Sequence, residues 1–136
     1  MNNGIPFHIL LVDDDPDDRM LIDEAFLEIG YDAEVKKFIN GKGLFQYLQQ
    51  VEPALYPHLI VLDNNLPEWD ALDVLTRLKQ NPAHKHIPIV VYSTTLSPTR
   101  KEQLRAAGAY ACIEKGNNMQ EILQLAKNLK KLAGSN

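Results

Sequence analysis

Along the whole chain, apolar blocks of strand length alternate with segments of helical period, which predicts a parallel sheet covered by helices. Residues 7–12 form a near-continuous apolar run, as expected of a strand buried on both faces. The spacing then predicts a helix over 17–29. Ile22, Ala25, Phe26 and Ile29 fall at i, i+3, i+4 and i+7, Asp17 or Asp18 can cap the start, and Gly30 ends it. Residues 33–39 predict a weaker strand, and Gly41 and Gly43 lead into a helix with Leu44, Tyr47, Leu48 and Val51 on one face. The cleanest buried strand, 58–62, runs straight into Asp63. A helix over 70–79 keeps Ala71, Val74, Leu75 and Leu78 in register until Asn81-Pro82 breaks it. Residues 87–92 give a fourth strand, and 98–107 a short, weakly patterned helix closed by Gly108. A fifth strand over 110–113 precedes a last helix over 119–132, with Met119, Ile122, Ala126 and Leu129 inward.

Five strands and five helices in strict alternation call for right-handed crossovers and a doubly wound α/β sheet. The expected organisation is one domain over 1–136, with its core at about 7–132. No internal repeat or linker leads to an output domain. Ligands of such sheets bind beyond the carboxyl ends of the strands. Residues with chemistry fall there: Asp13-Asp14-Asp15 after the first strand, Asp63-Asn64-Asn65 after the third, Ser93-Thr94-Thr95 after the fourth, and Glu114-Lys115 after the fifth.

Composition narrows the class. With 45% hydrophobic and 24% charged residues, 136 residues can bury a core without staples, and the lone Cys112 excludes an internal disulfide. The longest apolar runs, 9–12 and 59–62, are far too short for a membrane helix, and residues 1–4 lack the basic region of a signal peptide. A net charge of −4 without a basic stripe argues against nucleic acid. The expectation is a soluble cytoplasmic protein. Lys127, Lys130 and Lys131 near the end of the last helix suit its dipole.

Carboxylates crowded at one sheet edge need a compensating cation. Oxygen-only donors favour Mg²⁺ or Mn²⁺ over zinc. A carboxylate beside such a cation can attack phosphorus to give an acyl phosphate. Lys115 would then neutralise the phosphoryl oxygens, and a small hydroxyl such as Ser93 would hydrogen-bond them.

At these motifs the sequence resembles the receiver domain of two-component response regulators, over essentially 9–132. The matching segments are Leu11-Val12-Asp13-Asp14-Asp15, Val61-Leu62-Asp63-Asn64-Asn65-Leu66-Pro67, Pro88-Ile89-Val90-Val91-Tyr92-Ser93-Thr94 and Ile113-Glu114-Lys115. The resemblance implies a flavodoxin-like (βα)5 fold with strand order 2-1-3-4-5. It implies Asp63 as phosphoacceptor, Ser93 as switch hydroxyl and Lys115 as phosphoryl-binding lysine. Mg²⁺ (or Mn²⁺) would be bound by Asp14, Asp63 and the backbone carbonyl of Asn65, and by Asp13 through water. The implied partners are a sensor histidine kinase or histidine phosphotransfer protein as donor, and a downstream protein reached by contact or onward relay, with a homodimer left open. The protein would be a signalling switch, not a turnover enzyme, catalysing only its own phosphoryl transfer and slow autodephosphorylation. Three positions depart from the family: Gly116 replaces a proline that usually follows a cis peptide, Cys112 replaces the switch aromatic, and Ala71 replaces a glycine. A lone cysteine is most often a buried small hydrophobe, so coupling is expected through 93–98 and the fourth helix.

Three rival readings fit less well. Asp13-x-Asp15-x-Asp17 with Glu24 imitates an EF-hand loop, but Asp18 holds the glycine position and a strand precedes it. A haloacid-dehalogenase phosphatase would need an acid two residues after Asp63, where Asn65 stands. A pseudo-receiver would have lost the acceptor, a pocket acid or the lysine, and all are present. His84 and His86 are expected solvated, His8 and His58 as edge or packing residues, and Trp69 as surface packing or a partner contact.

Overall fold

The computed structural model describes residues 8–31 and 34–134. The expected alternation is present: β1 His8–Val12, α1 Pro16–Glu28, β2 Glu34–Phe38, α2 Gly41–Gln50, β3 Leu59–Asp63, α3 Ala71–Gln80, β4 Ile89–Ser93, α4 Pro98–Ala106, β5 Ala111–Glu114 and α5 Met119–Gly134. The five strands pair in parallel in the order β2-β1-β3-β4-β5. Phe7 and Ala33, expected to open the first two strands, lie outside the described residues.

The period of two along each strand divides the interior into two layers. Leu10, Val12, Ile60, Leu62, Ile89 and Val91 face one way, against Leu44 and Leu48 of α2, Val74 and Leu78 of α3, and Leu104 of α4. Ile9, Leu11, Leu59, Val61, Val90 and Tyr92 face the other, against Ile22, Ala25 and Phe26 of α1 and Leu125, Ala126 and Leu129 of α5. α4 contributes the single buried residue Leu104, which explains its weak periodicity.

Several local expectations are corrected. Asp15, not Asp17 or Asp18, caps α1: its side chain accepts from the Asp17 N–H, and Pro16, which has no N–H to satisfy, opens the helix. A 3₁₀ turn, Pro53–Leu55, precedes β3. β3, β4 and β5 each run one residue further than expected, because parallel pairing continues through Asp63↔Tyr92 and Ser93↔Glu114. Met119 is exposed rather than inward, since α5 turns Ile122, Leu125, Ala126 and Leu129 to the sheet. His84 is buried rather than solvated, its ring 5.1 Å from that of Tyr56. His86 is exposed. His8 opens an interior strand, and its N–H donates to Nδ1 of His58 at 3.2 Å, so both are packing residues. Trp69 packs edge-on to Phe45, with the Arg77 guanidinium 4.0 Å from its ring centre.

The turn from β5 to α5 accounts for Gly116. No cis peptide occurs among the described residues, so the Lys115–Gly116 bond is trans. A Cβ at Gly116 would lie 2.7 Å from both Cβ of Glu121 and the backbone nitrogen of Ile122. Any side chain there must push away the first turn of α5. Gly116→Ala is therefore expected to lose about 1–3 kcal/mol, the usual cost of overpacking, as a lowered midpoint in a denaturant titration.

Candidate functional site

The site stands at the carboxyl edge of the sheet because three strands end there in polar residues whose direction the pleat decides. Asp13 continues the Ile9–Leu11 face and Asp63 the Leu59–Val61 face, so both carboxylates point to the α1–α5 side, as does Tyr92. Ser93, one residue further, continues the opposite face.

Asp13 is fully buried and Asp63 is 5% exposed. Each carboxylate first answers its own turn. Oδ1 of Asp13 accepts from the Asp15 N–H at 2.9 Å, and Oδ1 of Asp63 accepts from the Asn65 N–H at 3.0 Å. The second oxygen of each faces inward. Oδ2 of Asp63 accepts from Lys115 Nζ at 3.1 Å, and Oδ2 of Asp13 accepts from the Tyr92 hydroxyl and lies 3.4 Å from Lys115 Nζ. The backbone places the lysine: the Lys115 N–H donates to the Ser93 carbonyl at 2.8 Å.

Burial shows first in the protonation of the site, and charge crowding adds to it. Burial pushes the Asp63 carboxyl up, with Asp13 adding to the effect, and the Asn65 N–H and Lys115 offset this only in part. Burial would lower the Lys115 ammonium, but Asp18, Asp63 and Asp13 outweigh it and hold the group above its ordinary range. Burial likewise pushes the Tyr92 hydroxyl up, reinforced by Asp13, so Tyr92 remains a donor.

Asp13, Asp14 and Asp63 each offer a carboxylate oxygen, all within 4.8 Å of one another. These are hard oxygen donors, so the set fits a divalent cation of the Mg²⁺, Mn²⁺ or Ca²⁺ class rather than one that wants nitrogen or sulfur. Asp14 is exposed and forms one wall of a cleft of about 630 Å³ that Asn65, Pro67, Thr95, Ser97 and Arg100 also line. Together the groups can hold a cation, present a carboxylate oxygen and neutralise an anion.

All the residues expected at the strand ends, Asp13, Asp14, Asp63, Asn65, Ser93 and Lys115, gather at this edge. Three further groups take part that the motifs did not single out. Tyr92 supports Asp13. Asp18 binds Lys115 at 2.7 Å. Arg100 of α4 spans the cleft, donating to Oδ1 of Asn64 and Oδ2 of Asp70, both at 3.0 Å. Asp18 had a legible signal, since it stands four residues before the buried Ile22 on the inward face of α1. Tyr92 had one in its strand parity. Arg100 had none, because its partners are 36 and 30 residues away.

Cys112 is half-buried and packs on the α2–α3–α4 layer. Burial pushes its thiol up, and Arg105 and Lys101 counter only part of this.

Residues 9–127 match the response regulator receiver domain family. The chain is 30% identical over 128 residues to the response regulator Rcp1 of Synechocystis, covering 92% of this chain and 87% of that protein. It is similar in structure to the phosphorylated cyanobacterial phytochrome response regulator RcpA, with a TM-score of 0.85 and 32% identity over 96% of this chain and 95% of that one. The Mn²⁺-bound form of Rcp1 is also similar, with a TM-score of 0.80 and 29% identity over 93% of each chain. By these matches, this chain belongs to the response regulator receiver domains, the phosphorylatable switches of two-component signalling.

Proposed function

We propose that Asp63 is the phosphoacceptor of this switch, and that the phosphoryl group comes from a phosphohistidine on a sensor histidine kinase or histidine phosphotransfer protein. A carboxylate oxygen of Asp63 attacks phosphorus, the phosphorus–nitrogen bond of the donor breaks, and the imidazole leaves with the electron pair. Lys115 neutralises the phosphoryl oxygens, and Ser93 donates its hydroxyl to one of them. Mg²⁺ (or Mn²⁺) would be held by Asp14, Asp63 and the Asn65 carbonyl, and by Asp13 through water. When bound, it supplies charge neutralisation for the transferring group. The observation that carries the reading is the pairing of Asp63 with Lys115 at 3.1 Å inside a cluster of three carboxylates at the strand ends.

The same reading makes residues 9–127 a receiver domain. It acts in the cytoplasm by contact with a downstream protein or by passing the phosphoryl group on, with self-association as one form of output. Its only chemistry is its own phosphorylation and slow hydrolysis. The Ser93–Pro98 segment and α4 carry the change outward, because α4 rests on one buried leucine and small differences in free energy displace such segments.

Incubation with acetyl phosphate and Mg²⁺ should add one phosphoryl mass to the intact protein, and Asp63→Asn should remove the gain. Undiminished labelling of that variant would place the acceptor elsewhere. The same variant reports on charge crowding. A carboxyl whose folded pKa is raised stabilises the fold below its unfolded pKa, and loses that contribution as pH rises through the folded value. Cation-free Asp63→Asn should therefore melt above the parent at pH 7, with the difference shrinking as pH falls toward 3.8, the ordinary carboxyl value.

Asp14→Asn should weaken Mg²⁺ binding by roughly tenfold or more, about 1.4 kcal/mol, by calorimetric titration. Removing one of three crowded charges should also raise the cation-free melting temperature. Equal affinity in variant and parent would rule out Asp14 as a ligand.

Beryllofluoride should change hydrogen-exchange protection over 93–107 to the same extent in the parent and in Cys112→Ala. A change confined to the parent would make Cys112 part of the switch.

A further inference from the structure

The shortest contact of Lys115 is not with the strand-end carboxylates. Its Nζ lies 2.7 Å from Oδ2 of Asp18, against 3.1 Å for Asp63 and 3.4 Å for Asp13. Asp18 belongs to the first turn of α1, with 29% of its side chain exposed, and neither it nor Lys115 lines the cleft beside Asp14. Tyr92 closes the position from the sheet, its ring centre 4.6 Å from Nζ, while its hydroxyl donates to Asp13. The ammonium is thus held between a carboxylate on α1, an aromatic face on β4 and the two buried acids.

Of its carboxylate partners, Asp18 is the one outside the acid cluster. That asymmetry has an electrostatic result. A divalent cation on Asp13, Asp14 and Asp63 repels the nearby ammonium and competes with it for the same oxygens. Lysine is a point charge on a flexible stem. Without Asp18, its remaining acidic partners here are Asp63 and Asp13, the oxygens the cation needs.

We infer that Asp18 is a positioning residue that holds the Lys115 ammonium from the α1 side, so that the Asp63 carboxylate stays open to a cation and to incoming phosphorus. The inference rests on the roles of Asp63 and Lys115 proposed above and adds a residue acting through the lysine. Asp18 stands outside the group of Asp13, Asp14 and Asp63 that could hold the cation.

The test is a double-mutant cycle on Mg²⁺ affinity, measured by calorimetric titration of MgCl₂ into the full chain, each variant first checked for a cooperative melt. Asp18→Asn should weaken binding roughly three- to tenfold, less than the roughly tenfold or more that a hydrogen bond between charged groups is worth, because Asp18 acts on the cation only through the lysine. Lys115→Met should tighten it. In the Lys115→Met background, Asp18→Asn should change the affinity by about twofold or less, because no ammonium is left to hold. Asp18→Glu, which keeps the charge, should stand closer to the parent than Asp18→Asn. An equal loss in both backgrounds would mean that Asp18 acts on the cation by its own charge, and would overturn the inference. So would an unchanged affinity in Asp18→Asn. Failure of the phosphoacceptor reading shows separately, as a parent that takes no label from acetyl phosphate whatever the cycle gives.

Discussion

Everything at the carboxyl edge of the sheet depends on the repulsion between Asp13 and Asp63. Two carboxylates, one fully buried and the other nearly so, stand close enough to serve one cation. Such an arrangement persists only where donors and positive charge offset it. Here the offset comes from the backbone N–H groups of Asp15 and Asn65, the Tyr92 hydroxyl and the Lys115 ammonium. Burial above all pushes the Asp63 carboxyl up, the Asp13 charge adds to it, and the donors undo only part of the rise. The buried negative charge favours a divalent cation at the oxygens of Asp13, Asp14 and Asp63.

Strand parity assigns the parts to opposite sides of the sheet. Asp13, Asp63 and Tyr92 share the α1–α5 layer, where the charge is balanced. Ser93 and Cys112 continue the α2–α3–α4 layer, where α4 lies. Tyr92 and Ser93, adjacent residues of β4, thus point to opposite layers of the fold. A shift of register by one residue would exchange the two faces and bury the wrong groups.

The fold was legible in the sequence because its strands are buried on both faces and its helices mostly carry clear apolar stripes. The site was legible because a doubly wound sheet brings strand ends together whatever the loops do. What escaped was decided by individual geometry. The α1 cap fell to Asp15 because Pro16 suits the first helical position, a choice three neighbouring acids left open. His84 reads as a loop residue by its neighbours, yet the turn beside Tyr56 covers it. Met119 fits the helical period but comes before the point where α5 meets the sheet. Arg100 joins segments far apart in sequence, and no local pattern announces such a bridge.

That bridge gives α4 a distinctive mode of attachment. Leu104 anchors the helix through the hydrophobic effect, which salt does not screen, while Arg100 ties its first turn to the β3–α3 loop through a partly exposed ion pair with Asp70, which salt does. The two ends of one helix therefore answer to different solvents. Electrolyte weakens the Arg100–Asp70 tie at the first turn of α4 while the Leu104 contact keeps its grip, so the ionic composition of the surroundings sets how firmly that end of the helix is held against the β3–α3 loop.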